Sequence, residues 1–203
     1  MNLLTKIKTV LFDPRLFFEK IQSETDFKIA FSYFFVLALF GIMMGALLSF
    51  SMQGIFNGYI SNVLKMSIVP MTGIYFLQIG IFIFILKVLF SFLFTAILNG
   101  WISSFGGKGN YLKTYQLYVY SRTPSLLFGW IPIVGLFAWV YSFSLLIIGT
   151  KEVHQLETKK VIMLYFIPLA IILIFVFLYM VLMIMVIKYN PEIFAEILSL
   201  FPQ

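Results

Sequence analysis

Residues 161–187, VIMLYFIPLAIILIFVFLYMVLMIMVI, run without one charged side chain. A helix crossing a bilayer needs only about 20 apolar residues. In hydrocarbon every backbone N–H and C=O must find its partner inside the chain, so a run like this has to be helical. Residues 27–50 form a second such run, with Lys28 its only charge, and residues 73–105 contain a third. The rest of the chain points the same way. Hydrophobic residues make up 62% of its 203 positions and charged residues 11%, against about 25% charged in an ordinary soluble domain. Its 25 phenylalanines exceed what one soluble core of this size can bury. The expected fold is all-α, a polytopic integral membrane helical bundle.

Spans are expected at about 27–50, 74–103, 115–131, 132–149 and 161–187, which together make a membrane domain over residues 27–187. Five is the expected number, and four if 115–131 is re-entrant. The run at 73–105 is too long for a perpendicular crossing, so it must tilt or emerge. Lys6, Lys8, Arg15, Lys20 and Lys28 precede the first span, Lys108 and Lys113 follow the second, and Lys151, Lys159 and Lys160 precede the last; the other side receives Lys65 and Lys188. Basic residues collect in cytoplasmic loops, which puts the N-terminus in the cytoplasm and the C-terminus outside. Residues 1–26 then form a cytoplasmic amphipathic segment and 188–203 an external tail. The net charge of +6 is thereby assigned to orientation, and no nucleic-acid partner is expected. Asp13, Glu19, Glu24 and Asp26 interrupt the N-terminal segment, so a cleaved signal peptide is not expected. The chain has no cysteine, which excludes disulfides and thiol chemistry.

Two stretches look interfacial. In FDPRLFFEKI, Asp13 is placed to cap a helix that starts at Pro14. Leu16, Phe17 and Ile21 would lie against lipid while Arg15, Glu19 and Lys20 face water. Residues 53–69 carry Ile55, Phe56, Tyr59, Ile60, Val63 and Leu64 at helical spacing, which predicts a separate helix on the outer surface.

A catalytic constellation is hard to assemble. Asp13, Glu19, Glu24, Asp26, Glu152, Glu157, Glu192 and Glu196 all lie outside the expected spans, leaving no intramembrane carboxylate pair. The one histidine, His154, sits in the charged loop KEVHQLETKK and reads as solvated. No catalytic residue, metal site or cofactor is expected, and the chain reads as a non-enzyme. SSFGGKGNY, residues 103–111, has the glycines and lysine of a phosphate cradle but not the G-x-x-x-x-G-K-[ST] spacing, and reads as a flexible cytoplasmic turn. Gly41 and Gly45 form a GxxxG pair suited to close helix packing, as is Gly135.

Two cations remain inside the expected spans, Lys87 and Arg122. Each costs about 2.5–3.5 kcal/mol on insertion scales. Either both snorkel along their stems, or they have partners within the bundle. Arg122 lies in VYSRTPSLLFGWIPIVG, residues 119–135, where Pro124 and Pro132 break the helix. Pro124 leaves the carbonyl of Tyr120 without its amide partner. The guanidinium is therefore expected to donate to freed carbonyls, with Gln116 and Tyr120 beside it, or to an anionic lipid headgroup.

The same stretch carries a family resemblance. Tyr120, Ser121, Thr123 and Pro124, then Pro132 and Gly135, then Tyr141, Ser142 and Gly149 before a charged loop, resemble the second half of the Yip1 domain family. FDPRLFFEKI resembles that family's Asn/Asp-Pro-Arg entry to the first span. The resemblance implies five spans with a cytoplasmic N-terminus. In eukaryotic members it implies binding of small GTPases and residence in endoplasmic reticulum or Golgi membranes. The short segment before residue 27 and the absence of the Asp-Leu-Tyr-Gly-Pro motif align this chain with prokaryotic members. That implies the cell membrane and no GTPase partner.

Two functions stay open. One is a non-enzymatic membrane protein that organises membrane or recruits partners, with membrane lipids, a protein partner or a second copy as its contacts. The other is a small transporter, channel or lipid-handling protein that uses the polar break around Arg122. A cavity lined by Lys87, Gln78, Asn99, Gln116 and Arg122 would favour the second, and a packed interior the first.

Overall fold

The computed structural model describes residues 2–64, 73–190 and 192. Among these residues the chain is helical, with no strand. The polypeptide opens with α1, Leu3–Phe12, capped by the Asn2 side chain, which accepts from the Thr5 amide at 2.8 Å. α2, Pro14–Lys20, follows at once. Proline suits that first position because its missing N–H would be unsatisfied there in any case. Asp13 stands at the cap without making a side-chain hydrogen bond. After a 3-10 turn, Ile21–Ser23, Asp26 accepts from the Lys28 amide at 2.8 Å and starts α3, Phe27–Leu64. The remaining helices are α4, Gly73–Ser104; α5, Tyr111–Ser121; α6, Thr123–Phe128; α7, Val134–His154; and α8, Thr158–Tyr189.

Among the described residues four helices are long and apolar enough to cross a membrane: α3, α4, α7 and α8. Where a fifth span was expected, residues 115–131 contain the end of α5 and all of α6. Neither helix reaches the roughly 20 residues a crossing needs. α3 also corrects the expectation of a separate surface helix over residues 53–69. Through Leu64 those residues simply continue the first span, and 65–69 lie outside the described residues. Ser51, Gln53 and Asn57 end the apolar run but do not end the helix, because they interrupt neither its hydrogen bonds nor its backbone angles. With 38 residues, α3 is about 57 Å long at 1.5 Å per residue, well beyond the ~30 Å hydrocarbon thickness.

The core lies toward the end of the bundle where α1 and α2 meet α5 and α7. Phe17, Phe18, Leu117, Tyr115, Tyr120, Leu145 and Leu164 are all fully buried there. This overturns the lipid-facing role expected for Phe17 and Ile21, which pack into protein while Leu16 stays exposed. The reason is a seat built for them. A Cβ on Gly149 would stand 2.8 Å from the Phe18 ring, so only glycine leaves room for that ring against α7. Tyr120 takes the Phe17 ring edge-on at 5.0 Å. Burying each phenylalanine stabilises by about 1.5–3 kcal/mol, and here the protein supplies the apolar surroundings. A second aromatic stack joins Phe27 and Phe92 to Tyr115, with centroids 4.6 and 5.4 Å away.

α8 is attached only at its start. Val161, Leu164 and Tyr165 are its buried residues, and none beyond Tyr165 is buried. Tyr165 shares a 2.6 Å hydrogen bond with Thr150. Pro168 lies inside this helix and has no N–H for the Leu164 carbonyl. The Trp101 indole N–H, from α4, donates to that carbonyl instead, at 2.9 Å.

Candidate functional site

The break at Arg122 is the hinge on which the site is built. α5 starts from the cap of Asn110, whose side chain accepts from the Lys113 amide at 3.0 Å. It ends at Ser121, and Pro124 sits in the first turn of α6. The carbonyl that proline frees is satisfied locally: Thr123 Oγ1 donates to Tyr120 O at 2.7 Å. The expected guanidinium–carbonyl contact is therefore not what holds the break. Among the described residues, the Arg122 side chain donates no hydrogen bond, and its guanidinium lies 5.2 Å from the Tyr118 ring centroid. Such a cation–π placement leaves the donors at the rim of the guanidinium free.

Tyr120 and Gln116, expected beside Arg122, turn instead to the N-terminal segment. Tyr120 donates its hydroxyl proton to the Glu24 carboxylate and accepts from Lys6 Nζ at 2.8 Å. Lys6 also pairs directly with Glu24. Gln116 Nε2 donates to the Glu24 carbonyl at 2.9 Å, and its own Oε1 has no partner among the described residues. Lys113 gathers three carbonyls, those of Ile21, Gln22 and Glu24, at 2.7–2.9 Å. Burial pulls its ammonium below the ordinary lysine pKa, and the Glu24 charge pulls the other way. Sequence reasoning missed Lys6, Glu24 and Lys113 as a group. They are charged residues outside the spans, and only the folding of α1 and α2 back onto α5 joins them.

On the other side of the hinge lies a half-open cavity of ≈1460 Å3. Gly41, Gly80, Lys87, Tyr118, Arg122 and Trp130 are among its walls. Among the described residues no carboxylate lines it, and the lining is mostly apolar. Glycines set its shape. A Cβ on Gly41 would fall 2.5 Å from the Leu126 carbonyl oxygen, so α6 can lie against α3 only at a glycine. A Cβ on Gly45 would meet the Trp130 Cβ at 3.5 Å, an ordinary contact. Gly135 lets α7 start against the Gly129 carbonyl, 2.7 Å from where its Cβ would be. Between them Pro132 and Ile133 form a tight turn: Val134 donates to the Pro132 carbonyl at 2.7 Å, with Ile133 at φ 67° and ψ −56°. Of the residues expected around a cavity, Lys87 and Arg122 line it and Gln78, Asn99 and Gln116 do not.

His154 is a further correction. It is fully buried rather than solvated. The Gly109 amide donates to Nδ1 at 3.2 Å, and Nε2 lies 3.2 Å from Thr114 Oγ1, which itself donates to Asn99. An Nδ1 that accepts carries no proton, so the ring is neutral with its proton on Nε2. A Cβ on Gly109 would come within 2.6 Å of the imidazole. The glycines of SSFGGKGNY thus close a loop over His154. Among the described residues no cluster of histidine and carboxylate groups could hold a metal ion.

Long apolar helices, a polar clasp at one end and a cavity with two unpaired cations define a multi-pass helical membrane protein. The chain belongs to the Yip1 domain family, whose model matches residues 8–180. No curated protein and no solved structure matches it.

Proposed function

We propose that this protein is a non-enzymatic, lipid-handling member of its family, one that takes a membrane amphiphile into the cavity between α3, α4 and the α6–α7 turn. One observation carries the reading: a half-open, mostly apolar cavity of ≈1460 Å3 whose wall also carries Lys87 and Arg122. Pockets for small soluble ligands usually span about 300–1,000 Å3, so there is room here for more than a headgroup. A tightly packed scaffold would have no use for such a space, which is why lipid handling is preferred to partner recruitment. Its place is the cell membrane, with the N-terminus in the cytoplasm, following the prokaryotic-type likeness and the basic flanks. No cofactor or GTPase takes part.

The test is retention of lipid. Protein extracted in mild detergent and washed should keep a phospholipid by native mass spectrometry. Gly45→Phe, which puts a ring into the cavity, should release it without unfolding the chain. Washed wild-type protein free of lipid would overturn the proposal.

A further inference from the structure

The cavity has a charge problem that none of the described residues solves. Lys87 and Arg122 both line it, and among the described residues no carboxylate does. The two share one mostly apolar space, where like charges repel more strongly than in water. Among the described residues neither the Lys87 ammonium nor the Arg122 guanidinium donates a hydrogen bond or forms an ion pair. The buried lysine of the bundle, Lys6, is by contrast fully engaged, with a carboxylate and a phenol. Two cations facing one mostly apolar space, with up to eight N–H donors between them and none engaged among the described residues, describe a site shaped for an anion.

Resting on the lipid-handling reading above, we infer that the amphiphile carries a phosphomonoester headgroup, held between Lys87 and Arg122. A guanidinium binds two phosphate oxygens side by side, and an ammonium binds a third as a point charge. A phosphomonoester offers three terminal oxygens and about −1.5 to −2 charge at neutral pH, which answers both cations. A phosphodiester offers two free oxygens and one charge. A zwitterionic choline headgroup would bring a third cation to the pair. The apolar walls, with Trp130 and Phe90 among them, favour a lipid over a free phosphate ion, because they give acyl chains a place to lie.

The experiment uses the full chain in detergent with three lipids of identical acyl chains: phosphatidic acid, phosphatidylglycerol and phosphatidylcholine. Binding is read by native mass spectrometry, with inorganic phosphate as competitor. Phosphatidic acid should bind about tenfold more tightly than phosphatidylglycerol, and phosphatidylcholine more weakly still, as the loss of a charge-assisted contact implies. Lys87→Gln and Arg122→Gln should each lower the phosphatidic acid affinity about tenfold and leave phosphatidylcholine unchanged. Lys87 is exposed, so its variant is expected to fold. Arg122→Lys, which keeps the charge and loses the fork, should fall between wild type and Arg122→Gln. Inorganic phosphate should not displace the lipid. Equal binding of all three lipids, unaffected by the variants, would overturn the headgroup assignment and leave lipid handling intact. Binding of none would overturn both, and displacement by inorganic phosphate would overturn the lipid source.

Discussion

Trp101 and Pro168 form a pair that can be separated by mutation. Pro168 deprives the Leu164 carbonyl of its helical donor, and the Trp101 indole replaces it at 2.9 Å. Trp101→Phe keeps an aromatic ring but removes the donor. A carbonyl left unpaired away from water costs about 1–3 kcal/mol in mutational series, so the single variant should lose about 2 kcal/mol. For a chain of this size that lowers the melting temperature by roughly 4–8 °C. Pro168→Ala returns an N–H to α8 and lets Leu164 bond within its own helix. In that background Trp101→Phe should cost less than about 1 kcal/mol, which leaves a coupling of about 1–2 kcal/mol. Thermal melts of the four proteins in one detergent measure the cycle. An equal loss from Trp101→Phe in both backgrounds would refute the assignment and reduce the indole contact to packing alone.

Three further outcomes are expected. Glu24→Gln leaves Lys6 without its carboxylate at 5% exposure and should destabilise by about 3 kcal/mol, the low end of the range for broken buried pairs; Lys6→Met added to it should recover at least half, as seen in melts and in amide exchange of α1 and α2. Ile133→Gly should stabilise by about 1 kcal/mol, because release of a strained positive-φ turn (about 1–3 kcal/mol) outweighs the entropy of an added glycine (about 0.5–1 kcal/mol); a lower melting temperature would show that the turn carries no strain. Since the chain has no cysteine, single cysteines at Gly54 and Lys159 report orientation, and an impermeant reagent added outside whole cells should label only position 54.

Composition made the helical membrane bundle legible, because runs such as 161–187 have few other physical outcomes. The break at residues 119–135 was legible too, since two prolines and an arginine stand out against apolar neighbours. The partners of that break were not. Thr123 reaches the freed carbonyl through its own hydroxyl, a local bond that competes on equal terms with the guanidinium until the backbone is known. The Lys6–Glu24–Tyr120 clasp has no periodicity to betray it, because it joins three charged or polar residues far apart in the chain. Phe17 and Ile21 show the limit of amphipathic patterns: an apolar face says that something covers it, and lipid and protein cover it equally well. The end of α3 fails differently. Hydropathy falls after Phe50, but hydrogen bonding along a helix does not depend on hydropathy.

The hinge also explains why the cavity keeps its charge. Tyr120 and Arg122 are two residues apart, yet the turn at Arg122 sends one to the N-terminal clasp and the other to the cavity wall. The carboxylate this break brings into the bundle is that of Glu24, and it is already shared between Lys6 and Tyr120. Were Glu24 to turn toward Arg122, it would abandon a lysine buried deeper than the arginine, at a cost greater than the gain. Lys6 thus holds Glu24 away from the cavity, and among the described residues the two cations there have no carboxylate partner. On the proposal above, their partner is an anionic headgroup from the membrane. On the same proposal, a chain without Lys6 would leave Glu24 free to compete with that headgroup for Arg122.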